Sequence, residues 1–95
     1  NSLNFKVGTW NNNADAGVSR MTILSNGNVG IGTTDPNSKL DVDGGVKIAD
    51  DSDTASSSKV GTMRYRSDSN NSYVDMCMQT GASTYEWINI TQNNW

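Results

Sequence analysis

The 95-residue chain has no histidine, one cysteine, one proline and one phenylalanine. Without histidine, the commonest general base is missing. A single Cys77 rules out an internal disulfide and a cysteine-based zinc site. The seven Lys and Arg are unclustered and the net charge is −3, which argues against a nucleic-acid partner. No apolar run approaches the roughly 20 residues of a membrane helix, so membrane insertion is not expected. No window places apolar residues at i, i+3, i+4 and i+7 over three turns, so long helices are not expected either.

The supply of core is also short. Leu, Ile, Val and Phe number 16 of 95, whereas Asn, Ser, Thr and Gly number 43. That apolar share falls below the roughly 20% where disorder becomes a concern, yet the charge is too small to hold the chain open. A chain short of core but full of strand and turn signals borrows its core from a partner. Obligate oligomerisation is therefore expected. The chain opens on Asn1 rather than Met, which reads as a piece of a longer protein.

Short alternating runs punctuated by Asn, Asp, Gly and Ser predict an all-β fold. Residues 3–7 place Leu3, Phe5 and Val7 on one face of a strand, to be buried. Trp10 and a loop over 11–17 follow. Residues 20–24 form a second strand, and Asn26-Gly27 supplies a turn that accepts positive φ. Val29 to Gly32 returns as the third strand. Thr34 or Asp35 before Pro36 resembles a helix start, good for one turn at most. Leu40-Asp41-Val42 resumes strand alternation, and Asp43-Gly44-Gly45 turns into Val46-Lys47-Ile48 to close a second hairpin. Residues 50–59 hold almost nothing apolar and read as a connector. Three further strands, over 61–66, 73–79 and 85–90, predict a small meander that is marginal unless its apolar face is covered. The predicted organisation is a stalk or shoulder module over 1–49, a connector over 50–59 and a sheet module over 60–95.

Within the third strand, Val29 and Ile31 alternate with Gly30 and Gly32. One face then carries branched side chains and the other carries none. Glycine weakens a strand unless the space it leaves is needed. The expectation is that another backbone passes close by, from a second copy of this chain. Val29, Gly30, Ile31, Gly32, Leu40 and Val42 are accordingly the candidate assembly residues.

The stretch Asn26-Gly27-Asn28-Val29-Gly30-Ile31-Gly32-Thr33-Thr34-Asp35-Pro36, followed by Lys39-Leu40-Asp41-Val42-Asp43-Gly44, closely resembles a motif of bacteriophage tail fibres and tailspikes. Gly61-Thr62-Met63-Arg64-Tyr65, with Tyr85-Glu86-Trp87-Ile88-Asn89-Ile90, resembles a second module of such fibres. Together the two cover about two-thirds of the chain. The first motif also occurs in secreted proteins of environmental bacteria, so it points to a fibrous trimeric stalk more firmly than to a phage. The resemblance implies a parallel, intertwined homotrimer wound about a three-fold axis, in a virion appendage that carries or forms the host-recognition tip. Other segments of the parent fibre would be its neighbours. Many such fibres end in a self-cleaving chaperone domain with a Ser/Lys pair, and nothing here matches that domain.

Other chemistry finds little support. Gly27, Gly30 and Gly32 lack the third glycine spacing and long helix of a dinucleotide loop. A calcium loop counted from Asp41 would need a Glu at position 12, where Ser52 stands. Three copies of Asp41 or Asp43 about an axis could still gather around one ion. Glu86 and Asp75 form a conceivable glycosidase pair, but they read better as partners of Arg64 and Arg66 across the sheet. No enzyme activity and no cofactor are expected. Sugars present flat C–H faces and many hydroxyls, which aromatic rings beside amides answer. Tyr73, Tyr85 and Trp95, with Asn70 and Asn71, are the candidate contacts for a cell-surface polysaccharide. Trp87 and Tyr65 read as interior aromatics. Trp95 is either a cap on the trimer end or a tip contact. The reading is thus an extracellular virion fibre that adheres through a homotrimer. The rivals are a purely structural spacer and the stalk of a bacterial surface adhesin.

Overall fold

A computed structural model describes residues 1–7 and 17–95. Trp10 and residues 11–16 of the loop expected over 11–17 lie outside the described residues. The described chain is all-β, with seven strands in two sheets and no α-helix. It divides into two compact units, Asn1–Val46 and Lys47–Trp95.

The first unit holds β1 (Ser2–Val7), β2 (Val18–Leu24), β3 (Val29–Ile31) and β4 (Leu40–Val42), hydrogen-bonded in that order. β1–β2 and β2–β3 are antiparallel, and β4 joins β3 in parallel. The β2–β3 hairpin turns on Asn26-Gly27, with Gly27 at φ 92° and its N–H donating to the Leu24 carbonyl. The register lines up two apolar rows, Leu3–Ile23–Val29–Leu40 and Phe5–Met21–Ile31–Val42. Period-2 alternation puts all eight side chains on one face. The opposite face carries Asn4, Thr22, Gly30 and Asp41, with Thr22 buried and its Oγ1 donating to Asn4 Oδ1 at 2.7 Å.

The connection from β3 to β4 runs over that polar face. The Asp35 N–H donates to Thr33 Oγ1, the Asn37 N–H to Asp41 Oδ2, and Asn28 Nδ2 to the Pro36 carbonyl. Side chains thus take the amides that a helical turn would have used. The helix start expected at Pro36 does not form; Pro36 is instead a buried part of the cover. The second hairpin expected through Val46-Lys47-Ile48 is absent as well. β4 pairs with β3 instead, and no strand follows before Met63.

The second unit holds β5 (Met63–Asp68), β6 (Asn71–Gln79) and β7 (Tyr85–Asn94) as an antiparallel meander in the order expected. Its strands outrun the expectation at the β5–β6 turn, which shrinks to Ser69-Asn70 with Ser69 at φ 38°. Polar residues there still pair: Asp68 faces Asn71, and Asn71 Nδ2 donates to Asp68 Oδ1. β7 continues to Asn94, and the Trp95 N–H closes on the Asn70 carbonyl.

Residues 50–59 belong to this unit and lie on its sheet rather than bridging two modules. Arg64 donates to the Asp51 carbonyl, Trp87 Nε1 to the Asp53 carbonyl, and Cys77 Sγ to the Ser56 carbonyl. Lys59, in a 3-10 turn over Ser57–Lys59, pairs with both Asp51 and Asp53 at 2.9 Å.

Both units share an unusual arrangement. One face is covered by the chain's own connection, and the open face carries the two apolar rows of the first sheet or, in the second, Met63, Met76, Met78 and Ile88 beside Ser72, Glu86 and Asn93. Leu3, Phe5, Leu40, Met63 and Ile90 are each about half exposed or more, and Cys77 alone among the described hydrophobic side chains is fully buried. The expected burial of Leu3, Phe5 and Val7 is therefore not met within a single chain.

Candidate functional site

Asp75 sits at the centre of the covered face of the second sheet. It is 1% exposed, and its Oδ2 accepts from Arg64 Nε at 2.9 Å and Arg66 Nε at 2.6 Å. Asn89 Nδ2 donates to its other oxygen. Burial pushes the Asp75 carboxyl up. The hydrogen bonds from Arg66 and Arg64, then the Arg66 charge, outweigh burial and hold it below the ordinary carboxylate range. A carboxylate kept ionised and spoken for at both oxygens is a structural anchor, not a proton donor.

The two arginines extend this anchor into a stack. Arg64 lies 4.1 Å from the centre of the Trp87 ring, and Arg66 lies 3.9 Å from that of Tyr73. The order across the face is Trp87, Arg64, Asp75, Arg66, Tyr73. The expected pairing of Asp75 with both arginines is present. Glu86 takes no part, because it stands opposite Met78 on the other face of the sheet. Asp75 and Glu86 consequently do not converge.

The candidate sugar contacts separate into two places. Asn70, Asn71, Tyr73 and Trp95 gather at the β5–β6 turn. There Tyr73 Oη and Asn71 Nδ2 both donate to Asp68 Oδ1, and Trp95 is 64% exposed. Tyr85 pairs with Gln79 at the far end of β6. That is six residues from Tyr73, or roughly 20 Å along the strand. Tyr73 also has one ring face occupied by Arg66, leaving only the other for a ligand.

A third feature lies on the bare face. A hollow of about 160 Å³ is lined by Tyr65, Ser72, Tyr73, Val74, Thr91, Gln92 and Asn93. Sequence reasoning missed it, having placed Tyr65 in an interior. The cross-strand register would have found it, since Tyr65, Val74 and Thr91 form one rung and Ser67, Ser72 and Asn93 the next.

Of the candidate assembly residues, Val29, Ile31, Leu40 and Val42 share the bare face of the first sheet. Leu3, Phe5, Met21 and Ile23 join them there. Gly30 and Gly32 do not, and the backbone each accommodates is the chain's own. A β-carbon on Gly30 would meet the Thr33 carbonyl oxygen. One on Gly32, which sits at φ 79°, would come within 3.2 Å of the Asp43 carbonyl oxygen. The close backbone approach inferred for these glycines is thus present within the chain itself.

Among the described residues, no group of three His, Cys, Asp or Glu could hold a metal ion. No described helix is long and apolar enough to cross a membrane. No protein-family model matches the chain, and neither the curated proteins nor the solved structures yield a match.

Proposed function

We propose that the chain is a segment of a fibrous, extracellular homotrimer, of the kind that forms a phage tail fibre, and that it adheres to a cell-surface glycan. One observation carries this reading: each sheet covers one face with its own chain and leaves apolar side chains bare on the other, along the whole double row in the first sheet and at the methionine end in the second. A bare face of this kind needs an apolar partner, and identical copies supply one. In the first sheet the contact is the eight-residue double row. In the second it is the methionine end, Met63, Met76 and Met78 with Ile88. Burying a half-exposed Leu, Ile or Phe on assembly contributes about 1 kcal/mol each. The packed polar faces, with their covering segments, then point outward.

Adhesion follows from the polar, aromatic end of the second sheet, where three copies give avidity for a repeated surface even when each contact is weak. A second reading, a spacer or clamp of a fibre or of a bacterial surface stalk, is favoured by the engagement of Tyr73 and Trp87 with arginines. A glycan array probed with the trimer separates the two. Binding to a host polysaccharide supports adhesion; a trimer that binds none supports the spacer.

A further inference from the structure

We infer that the hollow beside Tyr65 seats one pyranose ring of a neutral glycan. This inference rests on the adhesion reading and gives it a site and a ligand class.

The lining supplies the groups that a sugar ring needs. Tyr65 is 40% exposed, and its hydroxyl is tied to Ser72 Oγ at 2.8 Å. The ring is therefore held as a platform before any ligand arrives, which lowers the ordering cost of binding. An aromatic face beside Val74 suits the C–H side of a pyranose. Around it, Ser72, Thr91 and Asn93 offer hydroxyls and an amide, which both donate and accept.

Charge decides the class. All seven lining residues are uncharged. The ionised side chains along the strand, Arg64, Arg66 and Asp68, alternate to the opposite face. Arg66 is moreover already paired with Asp75 at 2.6 Å. A sialylated, uronic or phosphorylated sugar would lose its hydration here and gain no cation in return. At about 160 Å³ the hollow is well below the roughly 300 Å³ where pockets for drug-sized ligands begin, so it takes one ring rather than an oligosaccharide.

Position keeps the hollow compatible with assembly. The bare face changes along the strands. Met63, Met76 and Ile88 share one rung, and Ser67, Ser72 and Asn93 share a rung near the turn. Copies joined at the methionine end leave the hydroxyl-rich end open.

The test is an array of neutral and acidic glycans probed with the full chain and with Tyr65→Ala, Asn93→Ala and the control Glu86→Gln, each checked for unchanged mass in solution. The expected result is binding to neutral glycans alone. Either hollow variant should weaken it about tenfold or more, and Glu86→Gln should not. Asn93 is exposed, so its variant reports on the site even if Tyr65→Ala fails to fold. Binding confined to acidic glycans overturns the inference. So does binding that survives Asn93→Ala and Tyr65→Ala but falls in Asn71→Ala or Trp95→Ala, an outcome that leaves adhesion standing. Absence of any glycan binding overturns both the site and the adhesion reading.

Discussion

A β-carbon placed on Gly30 would run into the carbonyl oxygen of Thr33, three residues further along the same chain. The glycine thus serves the connection folded over the sheet. Gly30→Ala is expected to destabilise the first unit by about 1–3 kcal/mol, the usual effect of overpacking. A β-carbon on Gly45 would meet no atom within 4 Å, so Gly45→Ala should stay within about 0.5 kcal/mol. Urea midpoints measured at several protein concentrations check this. A Gly30→Ala chain with wild-type stability but impaired association would return the glycine to an interface.

Asp75 holds two arginines with one oxygen. Asp75→Asn removes the charge while keeping the shape, and leaves Arg64, whose side chain is 14% exposed, without a counter-ion. Breaking a buried pair costs about 3–5 kcal/mol. Arg66 is less buried and can turn to water, so the expected loss is at the lower end, about 3 kcal/mol. Chemical denaturation followed by Trp fluorescence reads it, because Trp87 stacks on Arg64. A loss under about 1 kcal/mol would show that the stack is held by its rings and not by the carboxylate.

The same anchor sets an acid limit. The folded Asp75 carboxyl titrates below its ordinary value, as does Asp51, which the Lys59 hydrogen bond and then the Asp53 amide lower. Groups lowered on folding contribute stability that is present above the ordinary carboxylate pKa of about 3.9. That contribution is lost as pH falls through the lower folded value. The urea midpoint should therefore hold from pH 7 to about pH 5 and fall below about pH 4, with a shallower fall in Asp75→Asn. Lys59 behaves in the opposite sense. Hydrogen bonds to Asp53 and Asp51 push it up to about 12. Its contribution is intact below about 10.4 and disappears as pH rises through the folded value, an alkaline loss that Lys59→Met should abolish. Equal acid profiles for wild type and Asp75→Asn would contradict the first part.

The parts of the fold legible in the sequence are those that follow period-2 alternation and turn chemistry. Leu3, Phe5, Ile23, Val29 and Ile31 announce their face, Asn26-Gly27 announces its turn, and the meander over the last three strands follows from its punctuation. The covering segments were not legible. Residues 33–38 have no periodicity, because their amides are satisfied by Thr33 and Asp41 side chains. Residues 50–59 look solvated by composition, yet Lys59, Arg64 and Trp87 fasten them to the sheet from afar. The same limit applies to the candidate site. Composition singled out Tyr73 and Tyr85 alike, but only the strand register sends them to opposite ends. The Tyr65 hollow depends on rungs that a roll of aromatics does not reveal.

The bare faces predict their own disruption. Ile31 and Leu40 stand on the apolar face and are 38% and 63% exposed. Lys at either position costs a single chain little, since the long side chain reaches water. Between copies it would bury an unpaired charge. Ile31→Lys and Leu40→Lys should keep β-type circular dichroism while shifting the chain toward monomer. Variants that associate as the wild type does would place the contact elsewhere.

In the proposed trimer these faces close against further copies of the chain. Light scattering on the intact chain reads that closure as a mass. The expected mass is three times the 10.2 kDa of one chain, unchanged on dilution through the micromolar range. A folded, stable monomer at 10.2 kDa would contradict it.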